Sequence, residues 1–560
     1  SYVCFSKISS YKESIVLYNK SISSVQKTEL LILLCFIAFL TAEAILINII
    51  YIIANSQFSF SLLFNTVTSL LCYFTLGLIT SVFIGLSLSF IRKKYIVYLL
   101  MVVLLVSEIE LTQTAAMHIF EYSGIDFSKI LEIFCLVPYS IRWTPNEQTG
   151  VVFDINKISL LLFYIVLSIL VFVVMNGRSK KEKIKKGTLC FILCICLSFG
   201  YFVPISFYKA SQSPSGIMHD DLYYQFYEDC QKEEKDAFRV VKYDLHFSAF
   251  LNLKADAKIY VDNKNLQKYK FTLYNKYKVS EVTNQNGSKL DFTQEYDYLT
   301  IDSGNSDTEY LNIKYSGGST KYYSSYAGVL LPSNFAYYPI PGFHKTFDSY
   351  YGFFDHSLPY NTAFNVEFSS SKTVYCNLEE TEKNKFKGYA KSIILLSGNY
   401  KTEKIDDTTI IYPYFSKTYK PEQLNEHFKT FIKDNRNIKK IFILPHMPLP
   451  EYSGIKTYDD YLFTNSKFDI ERRSFESKID VNKFLFYNLV CAYYDEETDD
   501  DYLNSLENNA SNEEKKMISL LKNFFASEQK EEISDRIADY LIDENDMRAP
   551  LEFLTALEEK

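Results

Sequence analysis

The sequence predicts a helical membrane bundle of about five spans, followed by an exposed β-sandwich and then a mainly helical region. Three observations predict it. Long apolar runs stop near Tyr208. The charge changes sign there: residues 1–208 carry 16 Lys+Arg against 11 Asp+Glu, whereas the remainder is acidic enough to bring the whole chain to −8. The pattern then alternates with a period of two from Ala237 and turns helical from Pro421. The segments expected are 1–29 cytoplasmic, 30–208 transmembrane, 209–236 linker, 237–418 β-sandwich and 419–560 helical.

In chain order, Leu30 to Ala54, Phe60 to Ile91, Tyr95 to Phe120, Ile158 to Met175 and Thr188 to Tyr208 are each read as spans. Basic residues mark alternate ends. Arg92, Lys93 and Lys94 close the second span, and Arg178, Lys180, Lys181, Lys183, Lys185 and Lys186 crowd the front of the fifth. Short loops rich in Lys and Arg stay in the cytoplasm. The orientation expected is therefore a multi-pass plasma-membrane protein with its C-terminal domain extracellular. Residues 121–155 become an outer loop holding the only tryptophan, Trp143. Within it, Phe127 to Ile141 is apolar but too short to span, as in a re-entrant helix. Glu43, Glu108 and Glu110 lie inside spans, and Gln113 follows. An ionised carboxylate at mid-membrane costs at least about 2.5 kcal/mol. These residues read either as a translocation cavity open to the outside or as helix–helix hydrogen-bonding groups near hydrated surface.

In the exposed part, Tyr243 to Leu253, Ala257 to Val261, Lys270 to Leu273, Tyr298 to Ile301 and Tyr310 to Tyr315 alternate as strands. Asn286-Gly287 and Ser316-Gly317-Gly318 read as turns between them. Helices are expected at Pro421 to Lys433, Val481 to Tyr494, Asn512 to Ala526 and Ile533 to Ile542. No basic surface domain points to nucleic acid. Of ten cysteines only Cys230, Cys376 and Cys491 fall here, too few and too widely spaced for a disulfide framework. The histidines His219, His246, His344, His356, His427 and His446 show no i, i+4 pair, so packing and surface roles outweigh metal binding. The acidic run Asp495 to Asp501 reads as a solvated loop. Composition rich in Lys, Asn, Ile and Tyr points to a bacterial source with AT-rich DNA.

Two families are resembled. Tyr11-Lys-Glu-Ser-Ile-Val-Leu-Tyr18, then Ser21 to Lys27, runs straight into a span, and the short apolar segment before Ile158 follows the same plan. This resembles residues of type-2 ABC exporter permeases over 1–176. The resemblance implies a short helix docking on a separate ABC ATPase, two further spans upstream of Ser1, and a dimer or a second permease subunit. No Gly-x-x-x-x-Gly-Lys-Ser/Thr loop occurs, so ATP would bind the partner subunit.

The second resemblance covers about 240–500. Val279 to Phe292, Tyr298-Leu-Thr-Ile, Leu311-Asn-Ile-Lys-Tyr-Ser-Gly and Tyr337-Tyr-Pro-Ile-Pro-Gly342 resemble the N-terminal domain of the aminopeptidase N family of zinc peptidases. Ser392 to Tyr400, followed by Thr409-Ile-Ile-Tyr-Pro-Tyr, resembles the strands entering its thermolysin-like catalytic domain. The resemblance implies a Gly-Ala-Met-Glu-Asn segment near Pro445 to Gly454, where Glu451 is the retained acid, and a His-Glu-x-x-His helix at Tyr487 to Tyr494. Tyr487, Asn488 and Cys491 stand where the two zinc-binding histidines and the catalytic Glu belong. Ala510 stands where a third ligand belongs, with Glu507 off register. Asn cannot act as a general base and Tyr is a poor zinc ligand. The expectation is a degenerate site, hence no enzyme, no metal and no zinc cofactor.

The function expected is the permease subunit of an ABC exporter-like complex, whose outer pseudo-peptidase domain holds a peptide or a partner. Its partners would be the ATPase, membrane lipids and a peptide, with no nucleic acid. The rivals are a membrane-anchored aminopeptidase-like enzyme with an atypical site, and a membrane receptor or sensor.

Overall fold

The structure is a computed structural model. It describes residues 2–10, 22–54, 60–91, 93–107, 155–176, 179–202, 231–234, 237–250, 252–304, 308–319, 328–348, 352–414, 426–445, 455–464, 467–476, 483–494, 510–527, 529–543 and 548–558, with short pieces or single positions between, among them 148, 223–224 and 507. The chain divides into two compact units. One is Ser1–Thr402 with Ile411–Lys417 and Leu444–Tyr452; the other is Glu403–Ile410 with Thr418–Ile443 and Ser453–Lys560.

The N-terminal helices are Tyr2–Ser10, Ile22–Ala54, Phe60–Ser69, a π-helical turn Leu70–Thr75, Leu76–Leu88, Lys94–Ser107, Ile155–Asn176 and Lys180–Phe202. Among the described residues, three stretches are long and apolar enough to cross a membrane: Ile22–Tyr51, Thr66–Leu88 and Asn156–Asn176. The other two of the five expected spans are described only in part. The third expected span is described as helix only over the 14 residues Lys94–Ser107. The helix holding the fifth expected span is described over Lys180–Phe202 and begins within the basic run. The expected docking helix at 11–18 and most of the segment 127–141 lie outside the described residues.

Phe36, Phe39, Ile47 and Tyr51 of the first span are more than half exposed, as side chains facing lipid are. Polar groups inside the bundle find each other. The Thr75 hydroxyl lies 2.9 Å from the carbonyl of Leu70 within the π turn and 2.9 Å from the Thr41 hydroxyl on the first span. Near the ends of two spans, Asn176 donates to the Gln26 side chain at 3.1 Å.

After these helices the chain becomes sheet-rich. The strands are β1 (Val240–Ala249), β2 (Leu253–Val261), β3 (Lys268–Thr272), β4 (Lys278–Asn284), β5 (Asp291–Glu295), β6 (Tyr298–Asp302), β7 (Tyr310–Gly317), β8 (Val329–Leu331), β9 (Ile340–Pro341), β10 (Phe347–Asp348), β11 (Gly352–Phe353), β12 (Thr362–Ser369), β13 (Val374–Cys376), β14 (Glu379–Glu382), β15 (Lys385–Ala390) and β16 (Leu395–Ser397). They form a seven-stranded sheet in the order β14-β15-β12-β1-β2-β7-β4, a four-stranded sheet β5-β6-β3-β9, a three-stranded sheet β13-β16-β8 and the pair β10-β11. The Asn286-Gly287 turn and most expected strands are found, but Tyr243 to Leu253 breaks after Ala249 and Leu253 opens β2, while Ser316 and Gly317 lie in β7 rather than in a turn. Gly287 takes φ +74°, and the Asn284 side chain accepts from the amides of Asn286 and Ser288.

Alternation is kept because one face of the large sheet is buried. Tyr243, Leu245 and Phe247 point inward, while His246 between them is exposed and pairs with Glu367 at 3.4 Å. Against the inner face lies Leu331 to Phe343, an almost strand-free segment that is buried at every residue. Its carbonyls are satisfied by tyrosines. Tyr243 Oη donates to Pro339 at 2.9 Å and Tyr315 Oη to Tyr337 at 2.8 Å, while Tyr337 Oη donates outward to Ile393 at 2.9 Å. Rings close the remaining space, with Tyr243 stacked on Phe364 at 5.0 Å and Phe335 edge-on to Tyr274 at 4.9 Å.

A second polar centre ties the residues before the strands to the four-stranded sheet. Asp297 is 2% exposed in the β5–β6 turn. Its carboxylate accepts from Tyr224 Oη at 3.0 Å, Thr346 Oγ1 at 2.6 Å, and the Asn275 amide at 2.7 Å and side chain at 3.1 Å. Burial pushes its pKa up, and these four donors pull the other way. Gln231 adds a backbone mimic: its side chain accepts from the amides of Thr346 and Phe347 and donates to the Phe347 carbonyl.

Beyond Ser397 the chain builds a five-stranded sheet from β17 (Tyr400–Ile405), β18 (Thr408–Pro413), β19 (Lys440–Ile443), β20 (Ile455–Thr457) and β21 (Tyr461–Thr464), in the order β17-β18-β19-β21-β20. The pair β19–β21 is parallel and β20–β21 antiparallel. Helices Glu426–Asp434, Lys467–Glu476, Phe484–Tyr494, Asn512–Phe525, Lys530–Ile542 and Pro550–Glu558 complete it. The region from Pro421 is thus less helical than the sequence pattern implies. Lys440–Ile443 and Tyr461–Thr464 are strands of four residues, most of them buried, which lack the alternation that marks a half-exposed strand.

Two substitutions test this frame. Asp297→Ala removes the acceptor of four buried donor groups and is expected to destabilise the sheet-rich domain by about 3 kcal/mol. Tyr243→Phe removes one donor from one buried carbonyl and is expected to cost about 1–2 kcal/mol. Chemical unfolding followed by hydrogen exchange of the β1 and β2 amides measures both.

Candidate functional site

The helix Phe484–Tyr494 carries the residues the sequence singles out. It is apolar along its length, and it packs into a core built with Met517, Ile518, Leu521, Ile537, Leu541 and Leu554 from the three C-terminal helices. Phe486, Tyr487, Leu489 and Ala492 are buried, whereas Asn488 and Cys491 are exposed. The Tyr487 ring lies 6.1 Å from that of Phe475. Tyr487 and Cys491 are one turn apart, yet the first serves the core and the second faces outward.

Glu507, the acid noted off register, is engaged elsewhere. It pairs with Lys522 and accepts from Tyr493 Oη at 3.2 Å. Lys522 holds its carboxyl below the usual range, and burial together with Glu507 pushes the Tyr493 phenol up to about 12. Ala510 packs against the core. Glu451 lies outside the described residues, as do Glu108, Glu110 and Gln113 of the expected cavity; Glu43 is exposed on its helix.

A zinc peptidase needs two His and a Glu, or equivalent donors, converging on one point. The helix Phe484–Tyr494 does not fit that demand. Its phenol is packed in a core, its thiol is on an exposed flank, and the residue between them is an amide. Among the described residues no group of three His, Cys, Asp or Glu is placed to hold a metal. No chemical step is therefore derived through zinc on this helix.

Two features escaped the sequence reading. Lys483, just before the helix, is 4% exposed. Its ammonium donates to the carbonyls of Tyr540 and Asp543, both at 2.8 Å, and lies 4.2 Å from the Tyr540 ring centre. It closes the C-terminus of helix Lys530–Ile542, where a cation is favoured. A lysine ahead of an apolar run reads from sequence only as a solvated flank. The second feature is a histidine pair: His344 and His356 lie with ring centres 6.4 Å apart on the wall of a cavity of about 300 Å³, with Glu233, Lys345 and Asp355 around it. His344 Nε2 is 2.7 Å from the Pro341 carbonyl. His356 is 5% exposed, and its Nε2 has no hydrogen-bond partner and almost no accessible surface. Burial and the neighbouring His344 depress its pKa to about 3. It is a neutral histidine packed in the wall of that cavity.

No family model matches the sequence, and neither does any curated protein. Solved structures do. An M1 zinc metallopeptidase from Deinococcus radiodurans aligns over 44% of this chain and 65% of its own, at 13% identity and a TM-score of 0.30. A mutant of a Deinococcus radiodurans M1 zinc metallopeptidase aligns over 56% and 96%, at 11% identity and a TM-score of 0.32. Aminopeptidase A from Legionella pneumophila, with aspartic acid bound, aligns over 46% and 35%, at 11% identity and a TM-score of 0.30. The chain thus spans less than two thirds of the first of these. Since the similar structures are zinc metallopeptidases, the expectations of no enzyme, a pseudo-peptidase and no zinc cofactor are withdrawn. Nothing matched supports the ABC permease resemblance of residues 1–176.

The buried imidazole sets a pH dependence. Its folded pKa of about 3 lies below the ordinary 6.5, so the unfolded chain takes up the proton first. Stability from this group is complete above pH 6.5 and is lost as pH falls toward 3, with a slope of at most about 1.4 kcal/mol per pH unit. Urea unfolding between pH 7 and 4 is expected to show this slope, and His356→Gln to flatten it.

Proposed function

We propose that the chain is a membrane-anchored, aminopeptidase-like enzyme with an atypical site, acting on peptides outside its apolar helices. The observation that supports it most is the element order. Strands β16, β17 and β18 fall where the resemblance to the aminopeptidase N family places the entry into a catalytic domain. They lead into a mixed five-stranded sheet and then a helical bundle. The helix Phe484–Tyr494 keeps an aromatic frame inward and turns Asn488 and Cys491 outward. An outward amide can hold a peptide carbonyl or amine through hydrogen bonds. An extended peptide laid beside a sheet is the binding mode such an arrangement favours. The transport reading has no comparable observation among the described residues.

The test is hydrolysis of aminoacyl amides and short peptides by the full chain in nanodiscs, with added Zn²⁺ and with chelator, alongside the metal content of the same sample. Turnover above the blank is expected. Asn488→Ala and Cys491→Ser are expected to lower turnover about tenfold or more while leaving the unfolding midpoint within about 0.5 kcal/mol of the parent, because both side chains are exposed. A folded protein with no turnover under any metal condition overturns the proposal.

A further inference from the structure

Gln148 belongs to the segment between the helices Lys94–Ser107 and Ile155–Asn176, yet it is fully buried in the sheet-rich domain. Its side-chain amide donates both protons, one to the Val329 carbonyl at 2.5 Å and one to the Ser397 carbonyl at 2.6 Å, partners 181 and 249 residues away in sequence. Val329 and Ser397 are register partners at the end of the β8–β16 pair, so a single side chain bridges both strands. The backbone takes part as well, since the Asn399 amide donates to the Gln148 carbonyl at 2.7 Å.

The socket is shaped for this residue. Gly398, between two of its partners, has φ +146°. A Cβ there would stand 2.8 Å from the Gln148 carbonyl oxygen and 2.9 Å from its Cγ. A primary amide supplies two uncharged donors to the two adjacent carbonyls. Glutamate of the same size would bring acceptors to acceptors. The contact also sits at a junction: Asn399 immediately precedes β17, and its carbonyl accepts from Tyr414 just beyond β18, at 2.7 Å.

We propose that Gln148 is a latch: this residue, seven positions before the helix Ile155–Asn176, docks on the end of the β8–β16 pair. The sheet-rich domain is thereby held to the membrane helices at a second point, besides the chain that follows Lys180–Phe202. A tie at residue 148, only seven positions before the helix Ile155–Asn176, limits how far the domain can turn relative to that helix. Segment and domain accordingly lie on one side of the membrane. The latch does not depend on any catalytic activity.

Hydrogen exchange of the full chain in nanodiscs tests this, with Gln148→Ala, Gln148→Glu and Gly398→Ala. Exchange of the Asn399 amide is expected to rise about tenfold or more in each variant. The β1 and β2 amides stay protected, which separates an open latch from an unfolded domain. Gln148→Glu keeps the size and removes the donors, so it is expected to open the latch as fully as Gln148→Ala. Shifts in unfolding midpoint for Gln148→Ala and Gly398→Ala are expected to sum to clearly more than the double variant shows, because both break one contact. Unchanged Asn399 exchange in the Gln148 variants, or fully additive shifts, overturns the latch.

Discussion

The sheet-rich domain depends on how an irregular, buried backbone segment finds its hydrogen bonds. Leu331 to Phe343 is buried at every residue and is mostly neither helix nor strand, so few of its polar groups pair with one another and most find partners outside it. Tyrosines of the surrounding strands solve the problem, filling the space with their rings and ending on a carbonyl with their hydroxyls. Phenylalanine would fill the space and leave the carbonyls unpaired. The segment joins sheets as well as filling space. It starts from β8 of the three-stranded sheet, passes under the seven-stranded sheet, and ends in β9 of the four-stranded sheet. The chain's 46 tyrosines therefore have a structural use that composition alone does not reveal.

The same demand appears elsewhere in other forms. Asp297 gathers four donors in a turn, Gln231 imitates a strand beside Thr346 and Phe347, and Lys483 closes a helix end. Gln148 is the most consequential of these groups, because its partners connect membrane helices to sheet. In each case one long polar side chain enters a buried site and satisfies two or more backbone or side-chain groups.

Much of the architecture was legible in the sequence, for reasons that can be named. Strands β1, β2 and β7 alternate because one face is buried and the other wet. The helix Asn512–Phe525 follows the run expected for it, and in the structure Ser511 and Glu514 form a reciprocal cap at its start. Of the five expected spans, the third is described as helix over Lys94–Ser107 and the fifth within a helix that shares the basic run from Lys180. The strands β19 and β21 were missed because short, mostly buried strands lack alternation and cannot be told from helix by period. At the candidate site the residue substitutions at Tyr487, Asn488 and Cys491 were legible, but the inward turn of the first and the outward turn of the others was not.

By itself, the sequence determined which stretches can sit in lipid, which alternate as strands and which residue types stand along the helix Phe484–Tyr494. These depend on neighbours a few positions away, where periodicity and charge act. Only the tertiary structure decided that Gln148 enters a socket on the β8–β16 pair, that Asp297 collects donors from three distant residues, and that His344 meets His356 in a site where the imidazole stays neutral. Each of these rests on groups brought together across long stretches of chain, and burial, which sets their energies, belongs to the folded arrangement rather than to any local pattern.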